Sequence, residues 1–435
     1  IMAQFRIDRN QYLSDGKTIF EVGMLKEGLT PSGTIVDAFG RLRTSEPYTL
    51  FDSQHRYQMN DRWDTSNTAN GTIHYSANES SVFMNVTTYS TDAVIRETKR
   101  VFKYQSGKSL LTFSSFKFDT PKANTVMRVG YYGANDGVYF ENSNANSYIV
   151  LRSSSSGSMV ETKVAQSEWN GNKFDGALQN TTATGTSDHG AIDVTKTNIF
   201  YVDLEWLGVG DVRVGFVVDG QPIPAHIFHN DNTQNAAYMT TAILPLRYEV
   251  FNTGTANSNT SIKQICSSVI SEGGYQGRGD KFSIGNALNS LKDLTNANSY
   301  YPLVSIRLPS TRLDAIILPE SVDLITGTNN AIYQWKIIRN ATLANTNWQT
   351  HYRNNVEYDI SANNVITDGN DLNSGFITQG TGTGSYTANF GSLEDFNIQL
   401  GRTIAGVSDT ITIAAQSTTA GADIGAILRW FDLTN

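Results

Sequence analysis

A chain of 435 residues with 33 Lys and Arg against 41 Asp and Glu has a formal net charge of −8, and so lacks the basic footprint that a nucleic-acid surface needs. Hydrophobic residues make up 39%, enough for packed cores, while charged residues reach only 17% and Gly, Ser, Thr and Asn are plentiful, which disfavours long helices and favours β structure. The length suggests two or three domains, and no apolar run approaches the roughly 20 residues needed to cross a bilayer, so membrane insertion is not expected.

Residues 1–65 read as an extended N-terminal arm or attachment segment, in which Gly28, Pro31, Gly33 and Pro47 separate short extended pieces. An arm of this kind gains affinity by adding a strand to a neighbour's sheet edge. Arg41, Arg43 and Asp52 are candidates for ion pairs between segments. Ile1 to Asp15 carries Arg6, Asp8, Arg9 and Asp15 among apolar residues, unlike the uninterrupted apolar region of a secretory signal.

Residues 66–278 read as a large antiparallel β-sandwich of jelly-roll type. Strands are expected at Ser81–Thr88, Val94–Tyr104 and Ser109–Phe118, followed by a hairpin from Met127–Tyr132 through Asn135-Asp136-Gly137 into Val138–Phe140. Tyr148–Arg152 extends that meander. Gly171 to Asp193 is a polar excursion, either a recognition loop or a plain connector. Asn198–Trp206 is the next strand, and the clearest hairpin follows at Asp211 to Phe228. There Val212, Val214, Phe216 and Val218 alternate before Asp219-Gly220, the two residues of a type I′ turn. Pro222 and Pro224 cannot donate to a ladder, which places the return strand at a sheet edge. The single cysteine, Cys266, has no partner for an intrachain disulfide, and the strand-like apolar spacing around it predicts a small buried hydrophobe.

The glycine cluster at Gly273, Gly274, Gly277 and Gly279 reads as a hinge with a domain boundary near residue 278, and Leu288, Leu291 and Leu294 are spaced as in one short helix. Residues 279–435 read as a smaller C-terminal β-sandwich. Its strands are expected at Leu303–Leu308, Ala315–Leu318, Ile332–Ile338, Val356–Ile360, Asn397–Leu400, Thr410–Ala414 and Ala426–Asp432. No repeat of the solenoid kind is visible.

Chemistry-bearing motifs are absent: six histidines and one cysteine form no His-Glu-x-x-His, Cys-x-x-Cys or Gly-x-Ser-x-Gly pattern. His226, His229 and Asp231 are the best local metal candidates, although positions three apart on a strand face opposite sides. Glu141, Glu161 and Glu168 contain the two acids that a glycosidase-like pair needs, without any diagnostic motif. Asp368-Gly369-Asn370-Asp371 lacks the spacing of a calcium loop and reads as a solvated turn. Trp206 and Trp335 sit in apolar strand patterns and read as core. Trp169 and Trp348 sit in polar surroundings and are candidates for contact with glycan or a protein partner. No catalytic residue, cofactor site or metal site is assigned.

Three segments carry a resemblance. The first holds Asp37-Ala38-Phe39-Gly40-Arg41-Leu42-Arg43 and Ser45-Glu46-Pro47-Tyr48-Thr49-Leu50-Phe51-Asp52-Ser53; the second holds Glu205-Trp206-Leu207-Gly208-Val209-Gly210; the third is Leu244-Pro245-Leu246-Arg247-Tyr248-Glu249-Val250. With Ser267 to Tyr275 as a further anchor, the chain from about Gly28 to Leu433 resembles a family of virion structural proteins of tailed phages, notably those of marine cyanobacteria. The resemblance implies a non-enzymatic building block, assembled in a host cytoplasm, that associates with itself, for instance as a trimer, and with other capsid or tail proteins. It marks Asp37, Phe39, Gly40, Arg41, Arg43, Glu46, Pro47, Phe51, Asp52, Trp206 and Gly208 as structural motif positions. An external capsid component, a decoration protein or head fibre, is the first placement, and a tail or baseplate fibre that binds host-surface carbohydrate is the alternative. Neither nucleic acid nor a cofactor is implied.

Overall fold

The computed structural model describes residues 3–12, 18–24, 46–176, 190–277, 279–380, 384–389 and 398–434. Contacts divide the chain into two units, Ile1–Glu46 and Pro47–Asn435. In the first, β1 (Ala3–Tyr12) pairs antiparallel with β2 (Thr18–Met24), with Ala3 opposite Met24 and Ile7 opposite Phe20.

The second unit begins with β3 (Pro47–Ser53), β4 (Trp63–Thr68), β5 (Thr72–Ser76), β6 (Ser81–Val86), β7 (Ala93–Thr98), β8 (Ser109–Phe118) and β9 (Thr125–Tyr132). It continues through β10 (Gly137–Ser143), β11 (Asn146–Ser153), β12 (Val160–Ala165), β13 (Asn198–Leu204), β14 (Val212–Val218), β15 (Gln221–Phe228), β16 (Leu246–Asn252) and β17 (Thr260–Glu272). One sheet of this first sandwich runs β12-β11-β10-β9-β16-β7-β4, and the facing sheet runs β15-β14-β13-β8-β17-β6-β5 with β3 added on β17. All pairings are antiparallel, as a chain rich in turn formers permits. Since β3 and β4 lie in these sheets, residues 47–65, read above as part of the arm, belong to the sandwich.

Alternation sets the faces. Along β8 every second residue is buried, so Leu110, Thr112, Ser114, Phe116 and Phe118 point inward. Phe140 stands at the centre of the core, with ring centroids of Phe118 at 5.7 Å, Phe216 at 5.2 Å and Phe200 at 6.0 Å. Asp219 and Gly220 take φ of 50° and 76°, the two left-handed positions of the expected type I′ turn. The return strand β15 is a sheet edge, as its prolines require, and the loop beside it covers that edge: Gly171 N–H donates to the Ala225 carbonyl at 2.9 Å and Asn172 N–H to that of Pro224 at 2.8 Å.

Cys266 departs from expectation, being exposed. The β17–β8 register shifts between Gln264 and Ser267, so an extra residue is accommodated and both of those side chains turn inward, leaving Cys266 outside.

The second sandwich contains β18 (Asp280–Gly285), β19 (Lys292–Leu294), β20 (Tyr301–Arg307), β21 (Ile317–Thr326), β22 (Ile332–Arg339) and β23 (Gln349–Thr350). It ends with β24 (Glu357–Asp359), β25 (Asn370–Thr378), β26 (Gly384–Asn389), β27 (Thr410–Ser417) and β28 (Ala422–Asp432). Its sheets run β18-β28-β21-β26, with β19 on β28, and β23-β24-β20-β27-β22-β25. Trp335 and Trp430 are buried between them. Leu294 ends a strand, and no helix forms around it: its backbone pairs with Ala422 of β28. No strand forms over 398–400, the described part of the segment expected at 397–400. β25 and β26 were not legible because both are edge strands of polar sequence with little burial.

The glycine run after β17 is a turn, with Gly273 and Gly274 at φ of 140° and 70°. The expected hinge is not seen, because the sandwiches share a core: Ile316, Leu318, Phe431 and Leu433 of the second pack in the cluster of the first. Arg402 N–H donates to the Lys99 carbonyl at 2.7 Å and Ile404 N–H to Asp64 Oδ2 at 2.7 Å, tying the same two halves. No helix among the described residues is long and apolar enough to cross a membrane.

Candidate functional site

The most developed polar geometry lies on the outward face of the β12–β4 sheet. Val129, Tyr131, Val138 and Phe140 enter the core, so Arg128, Tyr132, Tyr139 and Glu141 leave on the opposite side. Arg128 is the hub: Nε lies 2.7 Å from Glu141 Oε2, Nη1 3.4 Å from Glu249 Oε2 and Nη2 3.6 Å from Glu161 Oε1. Lys163 Nζ bridges Glu141 at 2.7 Å and Glu161 at 3.3 Å, and Arg152 Nη2 lies 2.7 Å from Glu161. Arg247 continues the chain from Glu249 at 3.5 Å to Glu97 at 3.0 Å, where Arg402 of the second sandwich arrives at 2.6 Å. Beneath these groups the Tyr132 and Tyr139 rings lie 4.4 Å apart, with Arg128 5.2 Å from the Tyr139 centroid and Arg247 5.4 Å from that of Tyr132.

This network decides what Glu141 and Glu161 can do. Register brings the two together on one face, as a glycosidase-like pair would require. Burial by itself raises the Glu161 carboxyl, but hydrogen bonds from Tyr139 and Arg152 and the charge of Arg128 hold it down to about 2. Both Glu141 oxygens are engaged, one by Arg128 and the other by Lys163. A general acid needs its proton at neutral pH, and the surroundings of Glu161 favour its ionised form. Glu168 is exposed in the short turn Gln166–Glu168.

Trp169 is corrected from a contact candidate to a core residue. It is 1% exposed, its indole N–H donates to the Val164 carbonyl at 3.1 Å, and its ring lies 6.3 Å from that of Phe216. Its polar sequence neighbours belong to a turn that drives this one side chain into the sandwich. Trp348 is half-buried, with the Arg307 guanidinium 4.1 Å from its centroid and Arg307 held by Glu357 at 2.7 Å.

The metal candidates are also corrected. His226 is buried and accepts the Asn170 N–H at Nδ1, 3.3 Å away, whereas His229 is exposed and meets Asp211 Oδ2 at 3.1 Å. Strand alternation separates the two histidines, and Asp211 takes the place of His226: ligand atoms of Asp211, His229 and Asp231 lie within 4.8 Å of one another. Asp368 accepts from Thr342 N–H at 2.9 Å in the expected turn, and Asp371 pairs with Lys336 at 2.6 Å.

Two buried histidines give a pH prediction. His55 Nδ1 accepts the Asn60 N–H at 3.1 Å, so His55, like His226, is held in the neutral form. Burial holds both down to about 4 from 6.5, helped by the Arg96 charge at His55 and that of His229 at His226. Between those values the unfolded chain binds more protons than the folded one, so the contribution is complete above pH 6.5 and is lost as the pH falls towards 4. Thermal denaturation across that window is expected to show a falling melting temperature, with a shallower fall in His226→Gln; parallel curves would refute the role of His226.

Asp37, Phe39, Gly40, Arg41 and Arg43 lie outside the described residues. Of the remaining motif positions, Glu46 is exposed, Pro47 and Asp52 pair with Glu272 and Ser268 in register, and Phe51 is core. Trp206 is half-buried, edge-on to Tyr104 at 5.8 Å. Gly208 takes φ of 83°, and its carbonyl accepts the Tyr238 N–H at 3.0 Å.

No family model and no curated protein matches the chain. Among solved structures, an endo-β-1,4-glucuronan lyase from the fungus Trichoderma reesei aligns at a TM-score of 0.33 and 13% identity, over 52% of this chain and 95% of that one. A β-1,3-glucanase from Mycobacterium marinum aligns at 0.34 and 11%, over 52% and 100%. The CBM2 module of the evolved Dit from Lactobacillus casei BL23 phage J-1 aligns at 0.31 and 5%, over 54% and 100%. At these TM-scores none bears on what this chain does.

Proposed function

We propose that the chain is a non-enzymatic structural protein of a tailed-phage particle, an external capsid component of the decoration or head-fibre kind that associates with itself and with other virion proteins. The observation that carries this reading is the shared core of the two sandwiches, closed by Arg402 on the ion-pair face. A body packed in this way resists deformation and presents fixed surfaces to neighbours. The engaged acids of the β12–β4 sheet favour a scaffold over a hydrolase. The tail or baseplate alternative loses Trp169 as a glycan platform and keeps Trp348 with one face under Arg307. Immunogold labelling of intact particles with an antibody to residues 280–435 tests the placement. Gold over the head is expected; gold confined to the tail tip would replace it with the fibre reading, and purified particles free of the chain would overturn the virion role.

A further inference from the structure

Along β8 the residues between the buried ones point away from the core, and these are Leu111, Phe113, Ser115 and Lys117. Register sets their neighbours. Phe113 stands opposite Tyr201 of β13 and Ser268 of β17, Leu111 stands opposite Ile270, and Tyr201 stands opposite Gly215 of β14. Ile199 and Val217 continue the same side, since Phe200 and Phe216 beside them enter the core. An antiparallel sheet with one face in water is normally polar on that face, so an apolar middle calls for a cover. The middle is open: Ile199 is 37% exposed, and Cys266 close to it is exposed as well.

Shape and charge both vary along the strands. Small side chains at Ser115, Cys266 and Ser268 leave a groove of about 340 Å³, walled by Phe113, Ile199 and Val217. Beyond the groove on one side, Lys117 pairs in register with Lys263, and Lys117 and Lys196 both act on Asp193, with Glu79 held by Lys263. Beyond Leu111 and Ile270 on the other side, Asp203, Glu205 and Glu272 gather, with Arg213 3.6 Å from Asp203 and Lys108 nearby. Each end keeps a surplus of its own sign.

We propose that this face binds a second copy of the chain, across a two-fold axis that lies in the face and crosses the strands at Phe113. Such an axis sets every strand against its own copy running the other way. Leu111 and Ile270 of one copy then stand over Ser115 and Cys266 of the other, an apolar pair over the groove. Lys263 stands over Glu272 of the second copy and Lys196 over its Glu205, so the two surpluses meet with opposite sign.

The area is adequate. Seven strands in line, about 4.8 Å apart and about seven residues long, offer roughly 800 Å² a side, as a standard interface buries. A small ligand would leave the charged ends unused, and an unrelated protein would not require the face to match itself.

This surface gives a place to the self-association proposed above, and solution measurements on the full chain decide it whatever particle labelling shows. Sedimentation velocity is expected to reveal a concentration-dependent dimer, with maleimide labelling of Cys266 slowing as the dimer forms. Ile199→Asp should weaken association at least about tenfold, because it puts an unpaired charge in the buried middle. Glu272→Lys should weaken it too, and adding Lys263→Glu should restore it, a rescue that misfolding cannot imitate. A chain that stays monomeric at every concentration overturns the proposal, as does a dimer whose Cys266 reacts at the monomer's rate, since association then runs through another surface. Protection of Cys266 that does not change with concentration would overturn it as well, by assigning the cover to another segment of the same chain.

Discussion

Replacing Arg128 by alanine is expected to cost about 3–5 kcal/mol of unfolding free energy, the magnitude for removing one partner from a buried charge network. The Glu141 side chain is fully buried, and Arg128 also serves Glu249 and Glu161. Lys163 remains beside Glu141, but Glu249 keeps only Arg247 as a charged partner, at 3.5 Å, with the Tyr132 hydroxyl donating to it at 3.3 Å. Truncation therefore leaves charge in low dielectric and uncovers the faces of Tyr139 and Phe251, which Arg128 overlies at 5.2 and 5.0 Å. Arg128→Lys is expected to recover only part of the loss, since an ammonium cannot reproduce the planar fork that reaches three carboxylates. Urea denaturation followed by tryptophan fluorescence measures both. A loss below about 1 kcal/mol would place the network with exposed ion pairs, which contribute little. The acid limb offers a second check. Glu161 falls from 4.5 to about 2 on folding, so its contribution is complete above pH 4.5 and disappears as the pH drops towards 2; the alanine variant should lose stability less steeply across that window.

Trp169→Ala is expected to cost about 3–5 kcal/mol, the range for emptying a large aromatic site in a core. The ring lies beside Phe140 and Phe216, and its indole N–H satisfies the Val164 carbonyl, so both a void and an orphaned acceptor result. A solvent-facing sugar platform would behave differently: its loss would abolish glycan binding and leave the denaturation midpoint nearly unmoved. Trp348→Ala is the contrasting variant. It is half-buried under Arg307, and its removal should cost clearly less than that of Trp169. Equal midpoints for Trp169→Ala and the parent would refute the core assignment.

Taken together, these effects describe a body whose stiffness is distributed between apolar layers and one charged sheet face. Arg402 links that face to the second sandwich, and the shared core does the same from within. A chain proposed to stand between virion neighbours gains from such coupling, because a load on one sandwich is carried by the other.

Much of this was determined by the sequence alone. Alternation of apolar residues specified β8, β14 and the β9–β10 hairpin, and Asp219-Gly220 specified its turn, because period-two burial and positive φ are local requirements. Glycine and proline placed the β15 edge. Other features were decided only in three dimensions. The meeting of Arg128, Glu141, Glu249 and Arg402 depends on register between strands far apart in the chain, and no local pattern records register. The inward turn of Trp169, the outward turn of Cys266 at its bulge, and the exchange of His226 for Asp211 beside His229 each follow from one residue's phase along a strand or turn. Leu288, Leu291 and Leu294 had helical spacing, but β28 offered Leu294 a strand partner, and tertiary pairing outweighed local propensity. Composition and local pattern therefore set the class of fold, whereas the charged face, the apolar groove and the shared core exist only because distant strands were brought into register.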